Sequence, residues 1–340
     1  MLSIEQSKKA ARTYLEANIP VFMWGKPGIG KTDSIYQLGE ETERPVFLFT
    51  SNIREPVDLR GLPTIDRDKS GKATRARWLN PPDLPDADRD GEEGILFLDD
   101  VLTAPPAMQA PLFGLALTGT IGDYTLPPGW WVIAASNYTT DKAGVTRINQ
   151  ALANRFGHIE VSPTVDDFTA WANASDIAPE VIAFIRYRPN LLHDSEHPDV
   201  TGAFPSPRQW AKAAKVIEAP AAKSDTKLRL ALTRGLVGEG AATEFEGFLR
   251  IYESIPSLDA ILVNPRGHKT PTDVAALYAI ASGLARRCDA KTFENALAYM
   301  SDCPKEFEAM FVIDASKRNP KLTHTKAFVK WTCGNQSVLL

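Results

Sequence analysis

The chain has 340 residues, of which 44% are hydrophobic and 24% charged, and it carries a net charge of −4. That length is enough for two or three domains of ordinary globular composition. The acidic balance excludes a chain-wide nucleic-acid surface, which needs a basic excess, and no apolar run reaches the roughly 20 residues of a membrane span. The charged start Met1-Leu2-Ser3-Ile4-Glu5-Gln6 lacks an apolar core, so no signal peptide is expected. Cys288, Cys303 and Cys333 lie far apart, as buried or free thiols of a reducing, cytoplasmic compartment would. His193 and His197 have a metal-binding spacing, but Pro198, Asp194 and Glu196 around them read as a surface loop.

Residues 3–19 read as an amphipathic helix, with Ser3 and Gln6 at capping-box spacing. The apolar run Val21-Phe22-Met23-Trp24 then breaks into Gly25-Lys26-Pro27-Gly28-Ile29-Gly30-Lys31-Thr32. A chance match to G-x4-G-K-[ST] in a chain this long has odds of roughly one in a hundred. A strand, a glycine turn and a helix start in that order form a phosphate-binding loop: successive N–H groups curl around phosphate oxygens at the positive end of the helix dipole. The candidate set is Gly25, Pro27, Gly28, Ile29, Gly30, Lys31, Thr32 and Asp33. Lys31 is placed to reach the β- and γ-phosphates and the Thr32 hydroxyl to ligate Mg²⁺. An ordinary strand-to-helix turn is the bland alternative.

Pro45-Val46-Phe47-Leu48-Phe49 is a second buried strand, followed by a polar loop with a short helical turn over residues 51–63. Residues 64–94 are rich in Asp, Gly and Pro and read as surface, with one strand at 73–79 carrying Arg75, Arg77 and Trp78. Those three could form a local nucleic-acid patch or simply a solvated strand, and the acidic balance favours the latter. Ile95-Leu96-Phe97-Leu98-Asp99-Asp100 is a buried strand ending in two acids. Ligands of open α/β sheets bind at that edge, so Asp99 can hold the Mg²⁺ shell and Asp100 an attacking water; a solvated acidic turn is the alternative.

Pro105 to Leu117 reads as a helix and 119–129 as a hairpin turning at Gly122-Asp123. Trp130 to Asn137 is a further buried strand ending in an amide, Ile148 to Phe156 a short helix, and His158 to Val161 the last strand. Five β segments alternating with helices predict a parallel sheet covered on both faces. Beyond Ser162 only helices are expected: near 164–171, 179–185, 206 onward, 225–236 and 240–253, then 273–288, 290–316 and 325–332 after an irregular linker at 257–268.

Over residues 20–215 this order of elements resembles the AAA+ ATPases, and within them the MoxR-type and McrB/dynein-related group. The Gly25–Thr32 loop is similar to Walker A and Leu96–Asp100 to Walker B; Asp58-Leu59-Arg60-Gly61 resembles the family segment after the second strand. The hairpin 119–129 sits where the resemblance puts the clade's insert in helix 2. The resemblance implies a P-loop NTPase with strand order 5-1-4-3-2 over residues 1–162, a helical lid over 163–254 and a helical C-terminal extension over 255–340.

The resemblance further makes Asn137 sensor 1, Arg155 the arginine finger and Arg208 sensor 2. A turn-capping role remains open for Asn137. Arg155 ends a helix, where the dipole favours a cation in any case, and Arg147 is a second finger candidate. Arg208 follows Ser206-Pro207, in the first turn of a helix, where a cation is disfavoured and needs an anion, either a γ-phosphate or a local carboxylate. The implied ligands are ATP or ADP and Mg²⁺. The implied assembly is a homo-oligomeric ring, by the resemblance a hexamer, acting on a client or a von Willebrand A-type partner protein. One departure stands out: the family ends Walker B in Asp-Glu, whereas this chain has Asp99-Asp100. The shorter acid holds a water differently, which predicts real but slow hydrolysis.

Overall fold

The structure is a computed structural model and describes residues 1–138, 148, 150–198 and 201–335. It divides into two compact units, Met1–Pro163 and Thr164–Leu340.

In the first unit the elements run α1 (Ile4–Glu16), β1 (Val21–Trp24), α2 (Lys31–Glu41), β2 (Val46–Thr50), α3 (Pro56–Arg60), β3 (Leu62–Arg67) and β4 (Ala73–Leu79). They continue with α4 (Ala87–Asp90), β5 (Glu93–Asp99), α5 (Pro106–Thr118), β6 (Thr120–Ile121), β7 (Tyr124–Thr125), β8 (Gly129–Ser136), α6 (Gln150–Ala153) and β9 (Gly157–Glu160). The five core strands form a parallel sheet in the order β2-β5-β8-β1-β9, which is the expected 5-1-4-3-2.

The strands read as unbroken apolar runs because both faces are covered. Val21, Met23, Ile95, Phe97, Ile133 and Ile159 pack on one face with Ala11 and Leu15 of α1 and Ile35 and Leu38 of α2. Phe22, Phe49, Leu96, Leu98 and Ala134 pack on the other with Met108, Leu112, Phe113 and Leu115 of α5. Ser3 and Gln6 complete the capping box of α1, as their spacing predicts. The register sets Thr50 beside Asp99 and Trp24 beside Ser136, so the carboxyl ends of β2, β5, β8 and β1 form one edge.

Three expectations change in this unit. Residues 62–67, read as loop and surface, form β3 and pair antiparallel with β4 around Asp68, whose carboxylate accepts from the Ser70 and Lys72 amides. Pro63 and the absence of a buried face hid this strand: Trp78 is 40% and Ile65 55% exposed. Arg75 is exposed beside them, as on a solvated strand. In chain order β3–β4 is the hairpin that follows the helix of the second core strand. The hairpin at 120–125 instead follows α5, the helix of the third. Finally, of the helix expected from 148 to 156, the described residues form a single turn, α6.

The second unit contains α7 (Val165–Ala174), α8 (Pro179–Tyr187), α9 (Pro207–Glu218), α10 (Pro220–Ser224), α11 (Thr226–Val237) and α12 (Glu239–Ser254). It ends with α13 (Leu258–Val263), α14 (Val274–Arg287), α15 (Phe293–Met300), α16 (Lys305–Arg318) and α17 (Lys326–Gly334). The supposed linker at 257–268 contains α13, capped by Ser257 and anchored by buried Ile261. The stretch 290–316 is two helices, because Pro304 opens α16. Helix α14 is buried almost all round. Its Ala275 and Ala279 join the core of Phe184, Trp210 and Phe245, while Leu277, Ile280 and Leu284 join that of Phe293 and Phe311. A bidentate ion pair from Arg186 of α8 to Asp314 of α16 spans the same layers.

Between α11 and α12, buried Arg229 donates to both carboxylate oxygens of buried Glu246, at 3.0 and 2.6 Å, and to Glu253 at 3.0 Å. Removing one partner leaves a charge without water or counterion. Arg229→Ala is therefore expected to cost about 3–5 kcal/mol, and Arg229→Met with Glu246→Met much less. Urea midpoints of the single and double variants measure this directly.

Candidate functional site

The site is built at the carboxyl edge of the first unit's sheet. Helix α2 is capped at its N-terminus by Gly30, whose φ of 101° lies in the left-handed region, as does the 77° of Gly28. Residues with a Cβ seldom take that conformation, which is why glycines occupy these two positions. At Gly25 the limit is space: a Cβ would lie 3.0 Å from the Val161 carbonyl oxygen and closer still to Ile29. The first-turn amides of a helix have no acceptor within it, so Lys31, Thr32 and Asp33 supply N–H groups where the dipole is positive.

Lys31, 8% exposed, turns its ammonium back across the loop. It donates to the carbonyl of Gly25 at 2.7 Å, to that of Lys26 at 3.3 Å, and to Asn137 Oδ1 at 2.9 Å. Two chain segments 106 residues apart thus meet, and Asn137 faces the loop lysine.

Thr32 Oγ1 donates to Asp99 Oδ2 at 3.1 Å. The other Asp99 oxygen accepts from the Asp100 amide at 3.0 Å. Burial pushes the Asp99 carboxyl above its ordinary range, and the neighbouring Asp100 charge adds to that; Thr32 and Lys31 oppose it. A hydroxyl and a carboxylate this close are two hard oxygen donors of the kind Mg²⁺ takes, and a cation there would offset the unfavourable charge. The loop, Lys31, Thr32 and Asp99 therefore fit a magnesium-bound nucleotide.

Asp100 has a left-handed backbone, φ 56° and ψ 36°, which Asp tolerates better than most residues. The turn swings its carboxylate towards β2, where Asn52 Nδ2 donates to Oδ2 at 3.3 Å. Asn52 was missed in the sequence. Its signal was present, since it is a polar amide two residues beyond a buried strand. Only the β2–β5 register makes it a neighbour of Asp100.

The two arginines sit differently. Arg155 lies exposed on the turn after α6, and Arg208 is exposed in the first turn of α9, within the second unit. Neither makes a hydrogen bond or ion pair among the described residues, so no local carboxylate offsets Arg208 there. Arg147 lies outside the described residues.

No helix among the described residues is long and apolar enough to cross a membrane. No protein-family model matches the chain, and no curated protein matches it in sequence. Among solved structures it is similar to NtrX from Brucella abortus in complex with ATP, at 13% identity and a TM-score of 0.40 over 100% of this chain and 69% of that one. It is also similar to a mutant of Thermotoga maritima RuvB, at 17% identity and a TM-score of 0.40 over 88% of each chain. At these values the likeness assigns neither a family nor an activity to this chain.

Proposed function

We propose that the chain is a magnesium-dependent ATPase of the AAA+ type, working in a homo-oligomeric ring and remodelling or activating a partner protein. The observation that carries this is the meeting of Lys31, Thr32, Asp99 and Asn137 within hydrogen-bond distance at one sheet edge. In this reading the loop amides and Lys31 bind and neutralise the polyphosphate, and Thr32 and Asp99 hold Mg²⁺, which supplies charge stabilisation at the transferring phosphoryl group. Asn137 and Asp100 orient the attacking water. Arg208 from the same chain and Arg155 from the next approach the γ-phosphate; both are exposed and neither is paired among the described residues, which supports those roles.

The ring is inferred from the trans finger, and a hexamer is the size the resemblance implies. A client protein or a von Willebrand A-type partner would receive the motion.

Asp100→Asn is expected to lower turnover about 10²–10⁴-fold, the range of a lost general base, with nucleotide affinity retained. Phosphate release under saturating ATP tests it, and unchanged turnover would remove Asp100 from the chemistry. Native mass with and without ATP tests the ring; a monomer in both states would remove Arg155 from the mechanism. A second reading, a slow nucleotide switch, is favoured by the short Asp100 side chain and its bond to Asn52. Wild-type phosphate release no faster than that of Lys31→Met would select it.

A further inference from the structure

His158 joins two parts of the first unit that the ATPase reading treats separately. Its Nδ1 lies 2.8 Å from Trp24 Nε1, and its Nε2 lies 2.7 Å from the Ala153 carbonyl oxygen. An indole N–H only donates and a carbonyl only accepts. Both bonds are therefore met by one state of the ring, a neutral imidazole with its proton on Nε2. The two rings lie nearly coplanar, centroids 6.0 Å apart and planes 24° from parallel, as an in-plane N–H···N bond between them requires.

Each end of this bridge reaches the site. Trp24 is the last residue of β1, directly before Gly25, and its ring stacks at 6.2 Å on Tyr138, the residue after Asn137. Ala153 closes α6, two residues before Arg155. A four-residue helix cannot hold itself, because a single turn does not recover the cost of nucleation. Within the turn its last carbonyl accepts from the Phe156 amide at 3.1 Å, and His158 on β9 adds an anchor from outside the turn.

We propose that His158 is a positioning residue for Arg155. Through Nε2–H it pins the Ala153 carbonyl and with it the turn that presents the arginine. Through Trp24 it braces that turn against the same subunit's phosphate loop and Asn137. The finger offered to a neighbour is thereby set by the nucleotide site of the subunit that offers it. This rests on the reading of Arg155 as a trans finger.

Mixing two inactive variants tests it. Lys31→Met chains keep a finger and lose a site; Arg155→Ala chains keep a site and lose the finger. Their mixture is expected to recover phosphate release where a good finger meets a good site.

Adding His158→Ala to the Lys31→Met chain is expected to lower that recovered turnover about tenfold or more, at unchanged KM, since sub-ångström to 1 Å misplacements cost up to about a hundredfold. The same change on the Arg155→Ala chain, which offers no finger, is expected to cost no more than about twofold. His158→Gln on the Lys31→Met chain keeps a donor for Ala153 and is expected to restore most of the loss.

Equal losses in both arms, or none in either, would overturn the proposal and leave the finger intact. No recovery in the parent mixture would overturn the finger reading itself, and this proposal with it.

Discussion

Lys31→Met is expected to lower kcat/KM for ATP about a thousandfold, roughly 4 kcal/mol of transition-state stabilisation, while the chain stays folded. Lys31 is a buried cation whose ammonium bonds to neutral oxygens, Gly25 O and Asn137 Oδ1 among them. Methionine fills the same volume without placing a charge, so the protein loses its counter-charge to the polyphosphate and little packing. Steady-state kinetics with a thermal melt of each protein checks both halves. A loss of less than about tenfold in a folded variant would mean that the phosphate contacts lie elsewhere.

Asp99→Asn is expected to act in opposite directions on stability and function. Asparagine can keep both neighbours, its Oδ1 accepting from the Asp100 amide and its Nδ2 donating to Thr32 Oγ1, while it removes the buried charge that Asp100 repels. The folded pKa of Asp99 lies above its unfolded value, so over the window above the ordinary carboxylate range the native state binds more protons than the unfolded state. Stability then falls as pH rises through that window, and the penalty persists at neutral pH. The variant is expected to melt higher than wild type at neutral pH and to lose this part of the pH dependence. Each kcal/mol relieved is worth about 2–4 °C in a unit of this size. Its Mg²⁺-dependent nucleotide binding is expected to fall at least about a hundredfold, because a neutral amide is a poor ligand for a hard dication. Melting curves from about pH 4 to pH 8, with and without MgADP, read both effects. A variant that is less stable than wild type at neutral pH would contradict the charge argument.

What could be read in the sequence was local and continuous. The glycine loop works through backbone geometry confined to one short segment, and the core strands announce themselves because a sheet covered on both faces needs unbroken apolar runs. The β3 strand gave no such signal, having no buried face, and Pro63 reads as a breaker. Helix α13 was too short to show a period, although Ile261 is fully buried. The contacts that complete the site were out of reach for a different reason. Asn52 meets Asp100 only through the β2–β5 register, and Trp24 meets His158 only because Phe22 pairs with His158 across β1 and β9. Register is a property of the assembled sheet, and no single segment encodes it. The proposed role of Arg155 depends on a neighbouring chain and that of Arg208 on the bound nucleotide, and neither is encoded in a local segment.

The central claim is that the sheet edge between Lys31 and Asp99 grips a magnesium-bound nucleotide. Its most direct test is equilibrium titration of MgADP into the wild-type chain and into Lys31→Met. Saturable binding is expected at one site per wild-type chain, weakened at least about a hundredfold in the variant. No saturable binding to wild type, or equal affinity in both, would contradict it.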